Sequence, residues 1–156
     1  MPTVDITQRL LEPTATAVVR GNVYPSEISD FLGRAYRNVE RALSLQGRSP
    51  TGPPFARYRR GTGDFDVEAG FPVGDVVVAS GKVIPSSLPG GLAAVATLVG
   101  SYDRVGAAYR ELLEWVTARE GRPQGDPWEV YLTDPATSPD PSTWRTEIVL
   151  PFTDLP

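Results

Sequence analysis

The segment 35–58, "AYRNVERALSLQGRSPTGPPFARY", reads against segment 108–131, "AYRELLEWVTAREGRPQGDPWEVY", without a gap. Seven of the 24 positions are identical: Ala35/Ala108, Tyr36/Tyr109, Arg37/Arg110, Pro50/Pro123, Gly52/Gly125, Pro54/Pro127 and Tyr58/Tyr131. Each copy carries apolar residues at helical spacing, then a break of Gly and Pro, then a short strand-forming run. An internal repeat of this length means that one supersecondary unit is used twice. Further on, "DVEAGFPV" (66–73) resembles "RTEIVLPF" (145–152), and upstream two apolar runs precede each helix.

Each half therefore reads strand, strand, helix, strand, strand. In the first half the strands fall at 4–11, 14–22, 55–61 and 64–72, the last two forming a hairpin around Gly61-Thr62-Gly63. The helix spans about 27–46, with Ser26 as its expected cap and Ile28, Phe31, Leu32, Ala35, Val39 and Leu43 as its buried stripe. In the second half strands are expected at 76–84, 91–99, 127–133 and 142–150. Asp103 is the expected cap of a helix that buries Val105, Ala108, Tyr109, Leu112, Leu113 and Val116. The fold class is α+β: duplicated modules building an eight-stranded antiparallel sheet, with two helices on one face and a pseudo-twofold axis between halves of about 1–74 and 75–156. Neither half buries its apolar surface well alone, so a single domain over 1–156 is expected.

Composition excludes several kinds of function. The chain has 156 residues, 40% hydrophobic and 22% charged, with a net charge of −4. That balance does not suit a nucleic-acid surface or an anionic membrane, and neither is expected as a partner. Arg57, Arg59 and Arg60 form the one basic cluster and read as an exposed strand end. There is no cysteine and no histidine. Disulfides, imidazole catalysis and the usual zinc ligands are thereby removed, and neither a metal nor a cofactor is expected. No apolar run is long enough to span a bilayer, and the first residues lack a signal-peptide pattern, so a cytoplasmic location is the default expectation.

One charge stands out. In Trp128-Glu129-Val130-Tyr131-Leu132, alternation puts Trp128, Val130 and Leu132 on one face and Glu129 and Tyr131 on the other. The apolar set is expected against the helices, leaving Glu129 and Tyr131 on the open face. The repeat makes Ala56 and Tyr58 their equivalents, so the two tyrosines and the carboxylate would line a concavity where the halves meet. Spacing alone leaves two readings of that face: a solvated one, with Glu129 an ordinary exposed charge and Tyr131 a strand former, and a pocket, where an aromatic wall with one carboxylate suits a flat or greasy cation. Phe55, Tyr102 and Trp115 are further candidates for that wall; Phe65, Phe71 and Trp144 read as core.

The stretches "FARYRRGTGDFDVEAGFPV" (55–73), "LPGGLAAVATLVGSYDRVGAAYRELLEWV" (88–116), "GDPWEVYLTDP" (125–135) and "WRTEIVLPF" (144–152) extend the pattern over nearly the whole chain. Their order resembles the GyrI-like small-molecule-binding domain, which includes the effector-binding modules of AraC-type and MerR-type multidrug regulators. The matching features are a Leu-Pro-Gly strand entry, a Gly-x-Tyr helix start, a Glu-x-Tyr-x-x-x-Pro strand and a closing Thr-Glu-Ile strand. A histidine that the family usually carries after the strand at 92–98 is missing. The resemblance implies a curved sheet with the ligand in a groove between the modules. It implies that Glu129 meets the ligand's positive charge and that Tyr131 stacks on it. Glu68 and Glu147 also match family positions and read as hydrogen-bonding or structural acids.

The functional expectation is a stand-alone binder of bulky hydrophobic, often cationic compounds, since no segment remains for a helix-turn-helix. The alternative is a hydrolase that opens cyclopropane-bearing DNA-alkylating natural products, with Glu129 as base and Tyr131 or Tyr58 as donor. A third expectation, carried by the family name alone, is a partner of DNA gyrase. Ligand identity and oligomeric state are left open by the sequence.

Overall fold

The computed structural model describes residues 4–154. The chain divides into two compact units, one formed by Glu12–Gly90 and the other by the chain up to Leu11 together with Gly91 onward.

The Glu12–Gly90 unit contains β2 (Thr14–Val23), α1 (Ile28–Leu45), β3 (Phe55–Arg60), β4 (Phe65–Pro72) and β5 (Ile84–Leu88). Its antiparallel sheet runs β3-β4-β2-β5. The other unit contains β1 (Val4–Leu11), β6 (Gly91–Val99), α2 (Val105–Ala118), the two-residue β7 (Arg122–Pro123), β8 (Trp128–Tyr131) and β9 (Arg145–Thr153). Its antiparallel sheet runs β1-β6-β9-β8, and β7 also pairs with β9. The expected class is what the chain adopts: antiparallel strands with two helices, four principal strands in each unit. β1 leads directly into β2 yet pairs with β6, and β5 leads into β6 yet pairs with β2. Each sheet is thus completed by the strand that opens the other repeat.

The helices form for the reason the spacing gave. Phe31, Ala35, Val39, Ala42 and Leu43 are the buried residues of α1, and Ala108, Leu112 and Val116 those of α2. Under α2 lie Ala94, Ala96, Ile148, Leu150 and Phe152. The small alanines let the helix approach, and each fully buried Leu or Ile there stabilises the fold by about 1.5–3 kcal/mol. Leu113, expected in the stripe, is 48% exposed. Close approach also explains Gly70: a Cβ there would lie 1.9 Å from the Ala17 carbonyl oxygen across the β2–β4 pair.

The helix starts differ from expectation. A 3-10 turn at Pro25–Glu27 precedes α1, and the Glu27 carboxylate accepts from the Tyr24 backbone N–H at 2.8 Å, so Ser26 is not the cap. A matching turn, Tyr102–Arg104, precedes α2; it contains Asp103, whose carboxylate accepts from the Ser101 hydroxyl and not from the helix backbone.

The expected strand at 76–84 is also corrected: the strand is Ile84–Leu88, and before it comes a turn in which Ser80 bridges Val83 and Gly81 has φ 59°. Val76 and Val78 are each 73% exposed. Alternating valines promised a ladder, but side chains at the end of α1 supply the partners instead. The Gln46 amide donates to the Val78 carbonyl at 2.9 Å and accepts from the Val78 N–H at 3.2 Å. Arg48 donates to the carbonyls of Asp75 at 2.6 Å and Val76 at 3.2 Å.

The β3–β4 hairpin closes with Gly61 N–H donating to the Asp64 carbonyl at 2.8 Å. Arg59 there pairs with Asp66 at 2.9 Å, and Arg60 stacks over Phe65 at 5.6 Å. Among the described residues no helix is long and apolar enough to cross a membrane.

Candidate ligand-binding site

Directly opposed residues of an antiparallel pair lie on the same face of the sheet. Glu129 on β8 is opposite Ile148 on β9, Ile148 is opposite Ala96 on β6, and Ala96 is opposite Ile6 on β1. Ala96 and Ile148 belong to the core under α2. Glu129 and, by alternation, Tyr131 therefore lie on the helix side of this sheet. The sequence reading put them on the open face, and that assignment is reversed. Its premise was that only the helix side buries apolar residues. Here Trp128, Val149 and Val95, which share the face turned away from α2, are 4%, 4% and 1% exposed. With both faces apolar, alternation separates the two sets of side chains but cannot say which set meets the helix.

On the helix side Glu129 is half-buried and accepts two hydrogen bonds. Tyr109, one turn into α2, donates its hydroxyl to Oε2 at 3.0 Å. Tyr131, two residues along β8, donates to Oε1 at 2.8 Å. Among the described residues these phenols are its partners, and no Lys or Arg reaches it. Burial pushes the Glu129 carboxyl above its ordinary value, and the two phenols draw it back only in part. The arrangement is an anion with two donors and no counter-charge.

An aromatic row leads away from it. Tyr102, in the turn before α2, meets the Tyr131 ring edge-on at 5.8 Å and lies against Trp144 at 4.7 Å. The Trp144 indole N–H donates to the Ser138 carbonyl at 2.7 Å, and its own carbonyl accepts from the Gly100 N–H at 2.8 Å. The ring is thus fixed between the end of β6 and the loop before β9. Tyr102 is 38% exposed and forms the solvent end of the row. Burial, followed by the negative charges of Glu129 and Asp134, pushes its hydroxyl upward.

Glu129, Tyr131 and Tyr102 are therefore brought together. Trp115 is placed elsewhere: it meets Phe152 edge-on at 6.0 Å and has the Arg119 guanidinium 3.6 Å above its ring. Phe152 is four residues along β9 from Ile148, roughly 13 Å from the row that holds Glu129. In the Glu12–Gly90 unit, Phe55 and Ala56 are 1% and 0% exposed. Ala56 is opposite Ala69, and Tyr58 is opposite Val67 and edge-on to Phe65 at 6.0 Å. The repeat equivalence is visible in the helices too. Tyr36 of α1, the counterpart of Tyr109, donates to the Phe55 backbone carbonyl at 3.0 Å, because Ala56 offers no carboxylate. Glu147 and Glu68 have structural partners: Arg9 at 2.9 Å for the first, and Arg20 at 3.1 Å with the Ser86 hydroxyl at 2.7 Å for the second.

Sequence reasoning missed Tyr109, which it counted as part of a buried stripe, and Trp144, which it counted as core. The signal for Tyr109 was available in its identity with Tyr36, since a phenol at the edge of an apolar stripe brings a hydroxyl that must find a partner. Among the described residues no group of acidic side chains could hold a metal ion.

Several solved structures share this architecture. The EcmrR C-terminal domain superposes with a TM-score of 0.81 at 20% identity, over 98% of this chain and 99% of that one. In the EcmrR–DNA complex the TM-score is 0.85 at 21% identity over 97% of this chain, which spans 58% of the EcmrR chain. SAV2435, solved bound to tetraphenylphosphonium, gives 0.69 at 13% identity, over 96% of this chain and 94% of that one. At these identities the likeness carries the fold alone. No curated protein matches the sequence. The family model for the GyrI-like small-molecule-binding domain matches residues 5–153, and the chain belongs to that family.

Proposed function

We propose that the chain binds bulky aromatic compounds bearing a positive charge, with Glu129 as the counter-ion and Tyr102, Tyr131 and Trp144 as the aromatic surface. The observation that carries this reading is the half-buried Glu129 carboxylate, which takes two phenol hydrogen bonds and has no cation among the described residues. A buried anion in that state is held at a cost that a cationic guest removes. Tyr109 and Tyr131 each occupy one carboxylate oxygen, so they fix the carboxylate's orientation while leaving lone pairs for a guest. Each aromatic face adds about 0.5–2 kcal/mol of attraction for a cation. The fold neighbour SAV2435 was solved with tetraphenylphosphonium, a ligand of this chemical class.

The test is calorimetric titration with tetraphenylphosphonium and with neutral triphenylphosphine oxide, on the wild type and on Glu129→Gln. The cation should bind the wild type well above the neutral compound, and Glu129→Gln should erase most of that preference. Equal binding of the two compounds, or a preference untouched by the substitution, would overturn the reading.

A further inference from the structure

The two sheets end in strands of different character. In the Glu12–Gly90 unit, β5 is five residues long and carries Pro85 at its second position. A short, proline-bearing strand is a protected edge, since it lacks an N–H and offers little length to pair with. In the other unit, β1 is eight residues long, contains neither proline nor glycine, and among the described residues pairs with β6 alone. Asp5 and the run Thr7–Leu10 are exposed, with Leu10 at 76%. Its outer edge is a row of N–H and C=O groups ready for another strand.

The side chains of β1 say which strand would fit. Run antiparallel to itself about Thr7, the sequence Val4-Asp5-Ile6-Thr7-Gln8-Arg9-Leu10 is self-complementary. Asp5 then faces Arg9 of a second copy, and Arg9 faces its Asp5. Val4 faces Leu10, Ile6 faces Gln8, and Thr7 faces Thr7. Opposed residues share a face, so both opposite-charge pairs fall on the side that also holds Thr97 and Glu147, and both Val4–Leu10 pairs fall on the α2 side. Moving the axis to Ile6 or to Gln8 loses every charge pair and sets Val4 against Gln8 or Asp5 against Leu11. Arg9 already donates to Glu147 at 2.9 Å. Its guanidinium has five N–H groups, so it can serve a second carboxylate at the same time.

We propose that two copies of this chain associate through β1, antiparallel about Thr7, into one continuous sheet. The contact is isologous, as a closed twofold pair requires. It gives the exposed Leu10 an apolar neighbour and satisfies the backbone groups along the outer edge.

The absence of cysteine allows a direct test. Directly opposed residues have Cα atoms about 4.5–5.5 Å apart, within disulfide range. Oxidised Thr7→Cys should therefore run largely as a covalent dimer. Gln8→Cys, whose counterpart lies two residues off register, should crosslink far less. In sedimentation velocity, Asp5→Arg alone and Arg9→Asp alone should each weaken self-association by roughly tenfold or more, because every charge pair becomes repulsive. An equimolar mixture of these two variants should recover a one-to-one dimer, since opposite charges then face each other on both sides. The mixing arm also guards against misfolding, because a misfolded variant would not be rescued by its complement. A wild type that stays monomeric at the highest concentration reached would overturn the proposal. So would Thr7→Cys crosslinking no better than Gln8→Cys, or a mixture that stays monomeric.

Discussion

Replacing Tyr109 by Phe removes one oxygen and leaves the ring in place on the core beneath α2. What it takes from Glu129 is one of two hydrogen bonds, the one at 3.0 Å to Oε2. A hydrogen bond to a charged group contributes about 1.5–3 kcal/mol against about 0.5–1.5 kcal/mol for one to a neutral group, so its loss falls harder on the ionised carboxylate than on the protonated one. Burial already holds the carboxyl above its ordinary value of 4.5, so losing one of the two opposing donors should raise it further. A cation binds the ionised form. Its affinity for the wild type should fall as pH drops through the raised pKa of Glu129, and in Tyr109→Phe that fall should begin at a higher pH. The effect on the fold has the opposite sign. A carboxyl whose folded pKa is raised favours the folded state below that pKa, and this contribution is lost as pH rises through it. Acidification from neutral pH toward 4.5 should therefore stabilise the ligand-free protein at this site, and in Tyr109→Phe the gain should begin at a higher pH. The assay is tetraphenylphosphonium affinity across pH, paired with carbon NMR of the Glu129 carboxyl. The internal repeat provides the control. Tyr36→Phe removes a bond to a backbone carbonyl, which does not titrate; it should cost about 0.5–1.5 kcal/mol of stability and leave the acid limb unmoved. An acid limb that stays put in Tyr109→Phe, or that moves equally in Tyr36→Phe, would refute the assigned hydrogen bond.

Glu129→Gln should weaken binding of tetraphenylphosphonium by about 2–3 kcal/mol, roughly 30- to 150-fold, while raising the melting temperature at neutral pH because the desolvated carboxylate at this position is gone. Trp144→Ala takes the indole from beside Tyr102 and should weaken the same cation by about 0.5–2 kcal/mol in calorimetry. Gly70→Ala forces β2 and β4 apart at the Ala17 carbonyl and should destabilise the fold by at least about 2 kcal/mol in urea. Gln46→Ala removes both hydrogen bonds to Val78; amide exchange there should accelerate and proteolysis between residues 75 and 83 should increase, at a cost of about 1–2 kcal/mol.

The sequence was most informative where one period dominated. Phe31, Ala35, Val39 and Leu43 on α1, and Ala108, Leu112 and Val116 on α2, are buried as their spacing required. The gapless repeat matched Glu129 with Ala56 in the other copy, and that singled out the acid that Tyr109 and Tyr131 hold. Local pattern failed where the partner was distant. The valines at 76 and 78 look like a strand because nothing in their own sequence reveals that Gln46 and Arg48 will claim their backbone. The orientation of β8 failed for a related reason. Which side meets α2 depends on its register with β9, and Trp128, Val130 and Leu132 do not encode that register. Tyr109 was hidden by its own ring, which satisfies the apolar pattern while its hydroxyl reaches a strand 20 residues downstream.

The Gln46 amide holds Val78 with one donor and one acceptor, as a neighbouring peptide would, but a side chain has no next residue. A true strand docked there would expose a fresh row of groups on its far side and invite growth. The glutamine terminates that series at its first member. Valines at 76 and 78 can therefore stand in water with their backbone engaged and still not seed the lateral stacking that leads to fibrils.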